Sequence, residues 1–159
     1  PIPSRMTIIE FLENYKTAYA LKRWDYLNSI FDDNALIIVG SVVHRMQRVP
    51  GDGIRYQDMP VVKSNRLSKQ QYMQNLQKCF RSNEFVNIRF SDTNVQKGRP
   101  DVDDYGIQLK QDYYSSSYGD TGYLFLRVDI NNPNEPIIRV RTWQPQITRM
   151  EDLIDLNSF

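Results

Sequence analysis

Near the N-terminus apolar positions recur at helical spacing: Ile8, Leu12, Tyr15 and Tyr19 form one stripe. Thr7, with Glu10 three residues on, reads as a capping box that opens this helix. A second short helix is predicted over Trp24 to Phe31, presenting Leu27, Ile30 and Phe31, with Asp32, Asp33 and Asn34 ending it and capping the turn. The stretch ALIIVGSVV, which begins at Ala35, is an almost continuous apolar run, the pattern of a strand buried on both faces. Residues 45–65 carry Pro50, Gly51, Gly53 and Pro60 and read as a loop or an irregular hairpin, a long connection of the kind that often serves function. Helical spacing returns at Tyr72, Leu76, Cys79 and Phe80, behind a second capping box of Ser68 and Gln71.

From residue 85 the period becomes two. Val86, Ile88 and Phe90 share a face, and after the turn KGRPDVDD so do Ile107, Leu109, Gln111 and Tyr113. After SSSYGDTG come two more strands, GYLFLRVDI and IIRVRTWQP, around NNPNEP. The tail ITRMEDLIDLNSF reads as a last helical turn capped by Thr148 and Glu151, or as the lead into a further domain. Helices, a strand, a helix and then three or four antiparallel strands predict an α+β fold, a curved antiparallel sheet with about three helices on one face. The length suits one domain over residues 1–159, with its core at 7–145 and a tail at 146–159.

Register sharpens the last hairpin. Pairing Val128 with Ile138 and Leu126 with Val140 gathers its apolar side chains on the helix-facing side. The same register sets Tyr123 opposite Trp143, Phe125 opposite Arg141 and Arg127 opposite Arg139, an outer plate of rings and arginines with Asp129 and Asp112 placed to screen the paired cations. Such a plate is either a solvated sheet face or a protein interface, since Tyr, Trp and Arg dominate interface hot spots.

Composition narrows the classes. With 40% hydrophobic and 25% charged residues the chain is an ordinary globular sequence. A net charge of +1 supplies no strongly basic face, so no nucleic-acid partner is expected. No apolar run approaches the roughly 18 residues of a membrane span. A single cysteine, Cys79, rules out an intrachain disulfide and reads as a small buried apolar side chain. The sequence carries no zinc spacing, phosphate loop or nucleophile elbow, and Asp101, Asp103 and Asp104 lack the spacing of a calcium loop, so no metal or cofactor is expected. The start PIPSRM lacks an initiator methionine, which leaves room for a removed leader.

Two segments resemble a known family. YLNSIFDDNALIIVG resembles the helix-to-strand junction of the nuclear transport factor 2-like superfamily, also called SnoaL-like or cystatin-like cone folds, in which a helix ending in an F/Y-x-D-D-A type turn feeds the first strand. GYLFLRVDINNPNEPIIRVRTWQP resembles the last two long strands of that fold, which end in a tryptophan. The similarity is nearest to uncharacterised members from Bacteroidetes-type bacteria, often exported, and this tips the expected location toward the periplasm or cell surface. The resemblance implies a cone-shaped half-barrel with a pocket between the helices and the concave sheet, and in many relatives a dimer through the convex face. On that footing Tyr123, Phe125, Arg127, Arg139, Arg141 and Trp143 are expected to meet a second copy of the chain, or another protein. The expected function is a non-enzymatic binding or assembly module whose pocket holds a small apolar ligand.

The alternative is an isomerase, dehydratase or hydrolase-like enzyme. Enzymes of this superfamily pair an acid–base residue with tyrosines or a second acid. The catalytic Asp that the steroid isomerase branch carries on the strand after the D-D-A turn has no counterpart in ALIIVGSVV, which counts against an isomerase of that type. The candidates that remain are His44, at the end of that strand, helped by Tyr56 or Tyr113. A sealed apolar cone would exclude the enzyme, and an open one with converging polar groups would favour it.

Overall fold

The computed structural model describes residues 2–51 and 53–159. Helix α1 spans Ile2–Ala20 and buries Ile8, Phe11, Leu12, Tyr15, Ala18 and Tyr19, the stripe that the spacing predicts. It starts earlier than Thr7, because Pro3 falls in the first turn, where a missing N–H removes no helical bond. Thr7 therefore lies inside the helix, and the expected Thr7–Glu10 capping box is corrected. The helix ends where Lys22 turns left-handed (φ 54°) and Arg23 N–H donates to the Ala18 carbonyl at 2.8 Å, a Schellman close. Helix α2 follows at Trp24–Ile30. Helix α3, Lys69–Ser82, has the expected box: Ser68 Oγ accepts from Gln71 N at 3.1 Å, and Gln71 Oε1 accepts from Ser68 N at 2.9 Å.

The strands are β1 (Phe31–Val49), β2 (Arg55–Leu67), β3 (Val86–Lys97), β4 (Asp104–Ser115), β5 (Gly119–Asp129) and β6 (Ile137–Pro145). They form one curved, unclosed six-stranded sheet in the order β2-β1-β6-β5-β4-β3, an α+β cone. Its pairs are antiparallel except β1 with β6, which run parallel and make the sheet mixed.

Residues 45–65 are more regular than their prolines and glycines suggest. β1 and β2 pair without a break from Ile37–Leu67 to Val49–Arg55. β1 pairs with β6 only as far as Val39, so beyond that point the hairpin continues as a two-stranded arm. Pro60 is tolerated because β2 is an edge strand, and Gly51 and Gly53 take positive φ at the tip (141° and 86°). Burial on both faces of β1 accordingly stops early, and Val42 is exposed.

The last hairpin departs from the simple register. Val128 does face Ile138, but Arg127 faces Val140, so Arg139 is an extra residue in β6 and makes a bulge. A slip of one residue moves every later side chain to the other face. Leu126 consequently opposes Arg141 and Leu124 opposes Trp143. Arg141 and Trp143 belong to the helix-facing concave surface, whereas Tyr123, Phe125 and Arg127 belong to the convex one, so the expectation of a single outer plate is corrected.

The convex face is not bare. The tail folds across it: Gln108 Nε2 donates to the Ile154 carbonyl (3.0 Å), Gln144 Nε2 donates to the Asp152 carbonyl (2.9 Å), and Ile154 N donates back to Gln144 Oε1 (2.9 Å). The Phe159 ring stacks on Phe125 with centroids 6.0 Å apart, and Phe125 is buried. A short 3-10 turn at Met150–Asp152 has no side-chain cap, so the expected Thr148–Glu151 cap is also corrected; Asp155 and Ser158 form a capping box one turn later.

Candidate functional site

The concave face has two ends. Toward α1 it is packed solid, with Leu27, Ile37, Ile107, Leu124, Leu126, Val128 and Ile138 all at 0% exposure. Toward the β4–β5 turn it opens into a cavity of about 620 Å³ lined by Val39, Ser41, Tyr72, Gln111, Tyr113, Tyr118, Asp120, Arg141 and Trp143, among others.

Strand β6 supplies the cation and the floor. The bulge at Arg139 turns Arg141 inward, where its side chain is 7% exposed. Its Nε donates to Tyr15 Oη at 3.2 Å, and its guanidinium lies 4.7 Å from the centre of the Tyr72 ring. The hydroxyls of Tyr15 and Tyr19 share a hydrogen bond (3.3 Å), and those of Tyr19 and Tyr72 share another. Burial lifts the Tyr72 pKa to about 12 and Tyr19 well above its ordinary value, so this cluster stays neutral at physiological pH. Burial works against the charge on Arg141, while the hydrogen bond to Tyr15 Oη and the face of the Tyr72 ring favour it, and the side chain stays cationic. None of the ion pairs among the described residues involves Arg141. A buried cation with no carboxylate in ion-pair contact is costly.

Trp143 packs against β5 where residue 122 is a glycine. A Cβ on Gly122 would stand 2.4 Å from Trp143 Cζ2 and 2.5 Å from the Gln144 carbonyl oxygen, so only glycine admits the indole there.

The opposite wall carries acceptors. Asp120 opens β5, and its Oδ2 accepts from Tyr118 Oη at 2.7 Å. Burial raises the Asp120 pKa against the opposing pull of Tyr118 and Arg141, and burial beside Asp120 lifts Tyr118 to about 12. Asp120 Oδ1, Gln111 Oε1 and Trp143 Nε1 are buried without a hydrogen-bond partner among the described residues, and all three side chains line the cavity. Tyr113 also lines it, its hydroxyl 3.0 Å from Cys79 Sγ; burial, then Cys79, pushes the Tyr113 pKa up. Cys79 is half-buried here rather than sealed in the core. Among the described residues no three His, Cys, Asp or Glu side chains converge as a metal site.

The expected site residues are thus dispersed. Of His44, Tyr56 and Tyr113, only Tyr113 reaches the cavity. His44 stands on the arm, 61% exposed, with Nδ1 3.1 Å from Asp58, and Tyr56 is 60% exposed on the facing strand. Of the six expected interface residues, Arg141 and Trp143 line the cavity and Phe125 lies under the tail. Tyr123, Arg127 and Arg139 remain outside. Arg127 Nε donates to Asp104 (2.7 Å), and Arg139 donates to Asp32 (2.7 Å) and Asp129 (2.9 Å). Asp104 is therefore a buried partner of Arg127. Reading the sequence missed Asp120, Tyr118 and the tyrosines around Arg141. The available signal was Gly122, an isolated glycine among strand residues and near a tryptophan strand.

No known family profile and no curated protein matches the sequence. Solved structures do match. Bd1075 of Bdellovibrio bacteriovorus aligns at 13% identity and a TM-score of 0.64 over 91% of this chain, which spans 41% of Bd1075. A Streptomyces avermitilis protein described as a dehydratase of the nuclear transport factor 2-like family aligns at 9% identity and 0.62, covering 93% of this chain and 100% of its own. A Novosphingobium aromaticivorans protein described as the β subunit of an aromatic-ring-hydroxylating dioxygenase aligns at 14% and 0.59, covering 91% and 90%. At these identities the likeness speaks for the fold, and with the helix-to-strand junction and the closing tryptophan strand it places the chain: it has the nuclear transport factor 2-like cone fold.

Proposed function

We propose that this chain is a non-enzymatic binding or assembly module whose cone pocket receives a small ligand. The observation that carries this reading is the cavity beside Arg141. One end of the concave face is filled with aliphatic side chains, and the other is left open and lined by polar atoms that no partner satisfies. Packing for stability alone favours the first arrangement throughout. A thermal-shift screen of small organic molecules tests it: compounds that fit should raise the melting temperature of the chain and lose that effect in a Gly122→Val variant that remains folded. A screen without a single stabilising compound would count against a receptor.

Assembly as a homodimer through the convex face belongs to the same reading. Its support is the exposure of Ile147, Met150 and Phe159 on the tail, together with the likeness to a dioxygenase β subunit. Light scattering after size exclusion should give twice the chain mass, falling to one on Tyr123→Ala with Met150→Glu. A monomer at every concentration would remove the homodimer.

A second reading, an isomerase, dehydratase or hydrolase-like enzyme, is favoured by one observation: Asp120, its pKa raised by burial, sits in the cavity beside Tyr118. On this reading Asp120→Asn abolishes turnover and spares binding.

A further inference from the structure

We infer that the pocket selects a small amino or hydroxy carboxylic acid, its carboxylate held by Arg141 and Trp143 and its ammonium or hydroxyl group held by Asp120 and Gln111. This rests on the reading of the cavity as a receptor and adds the chemistry of what it receives.

The two walls are chemically opposite. On β6, Arg141 is 7% exposed, and among the described residues only its Nε is engaged by a protein oxygen and Trp143 Nε1 has no acceptor. These are donors in need of acceptors. On β4 and β5, Gln111 is 4% exposed with Oε1 unpartnered, and Asp120 Oδ1 is buried and unpartnered. These are acceptors in need of donors. Gln111 faces Gly122 and Asp120 faces Tyr113 across the same strand pair, so the two acceptors sit two positions apart on one face. β5 adjoins β6 and β4 lies beyond it, so one to two strand spacings separate the walls across the sheet. Along the strands Trp143 and Arg141 stand opposite Leu124 and Leu126, two to six residues from the level of Gln111 and Asp120, and it is the length of the Arg141 side chain that brings its guanidinium into the cavity they share. All four side chains line one cavity, so a carboxylate held on the donor wall directs a donor group of the same molecule toward the acceptor wall. Charge agrees with geometry. Arg141 meets the carboxylate, and Asp120 meets an ammonium group one to one or, since burial favours its protonated form, a hydroxyl. Tyr72, Tyr113 and the indole of Trp143 leave room for an aromatic or aliphatic body between the walls.

The test is calorimetric titration of the whole chain with four probes of one size: mandelate, phenylglycine, phenylacetate (no donor) and mandelamide (no carboxylate). Mandelate or phenylglycine should bind, with phenylacetate and mandelamide each weaker by about tenfold or more. Arg141→Met should weaken the acids by at least about tenfold. Arg141→Lys, which keeps the charge but not the fork, serves if the first variant fails to fold by circular dichroism. Asp120→Asn should weaken phenylglycine more than mandelate. Mandelamide binding as tightly as mandelate, or indifference of the acids to the Arg141 variants, overturns the inference and leaves the receptor reading standing. Binding of neutral compounds but none of the acids does the same. If neither these probes nor a broad neutral set binds, the inference and the receptor reading fall together.

Discussion

Arg139 and Arg141 lie on one strand, separated by a single valine, yet they belong to two regions that handle charge in opposite ways. Around Arg139 the chain supplies its own counter-ions. Asp32 and Asp129 both accept from its guanidinium, and these bonds help hold both carboxyls below the ordinary range. Around Arg141 it supplies tyrosines and an open cavity instead. The outer cation is satisfied within the fold and contributes to it; the inner one is buried at a cost and left facing space. The proposal that something outside the chain belongs in the inner region, rather than on the arginine-rich outer one, rests on this difference.

Four changes sharpen or break this contrast, and the largest tests the tail. Phe125→Ala should cost about 3–5 kcal/mol in urea unfolding, because the ring is buried under the tail. A cost below about 1 kcal/mol would mean that the convex face is bare. Gly122→Ala should cost about 2–3 kcal/mol and alter the near-ultraviolet signal of the indole, since its Cβ has no space beside Trp143. A smaller effect, about 1 kcal/mol or less, is expected for Arg139→Ala at neutral pH, because the pair network is half-exposed. Asp32 and Asp129 have folded pKa values below 3.8, so that contribution is present above this pH and fades as pH falls through their folded values; the Arg139→Ala difference should therefore shrink in acid. Asp120 has the opposite sign. Its folded pKa is raised, so the native state favours the proton, stability is lost as pH rises from 3.8 through the folded value, and Asp120→Asn should be slightly more stable than wild type at neutral pH but not at pH 3.

Much of the cone is legible in the sequence, and the reasons are local. The stripe of α1 and the Ser68–Gln71 box sit within single elements, where spacing decides burial. The hairpin arm hid behind Pro60 and Gly53, because an edge strand tolerates residues that ordinarily mark loops. The site depended on one non-local fact. The bulge at Arg139 adds no residue type that alternation can detect, yet it turns Arg141 and Trp143 from the outer face to the pocket. SSSYGDTG has turn composition, which hides Asp120, whose strand character comes from pairing with Tyr113. In the tail, the folding back over Phe125 is decided by tertiary contacts with Gln108 and Gln144, which no periodicity records.

The most direct test of the central claim, that Arg141 is kept for a ligand and not for the fold, is to compare the unfolding of Arg141→Met and Arg139→Met without ligand at neutral pH. The expected result is that Arg139→Met loses up to about 1 kcal/mol while Arg141→Met is as stable as wild type or more so, because methionine fills the site without a desolvated charge. A loss of several kcal/mol in Arg141→Met would contradict it and make the arginine–tyrosine cluster a structural core.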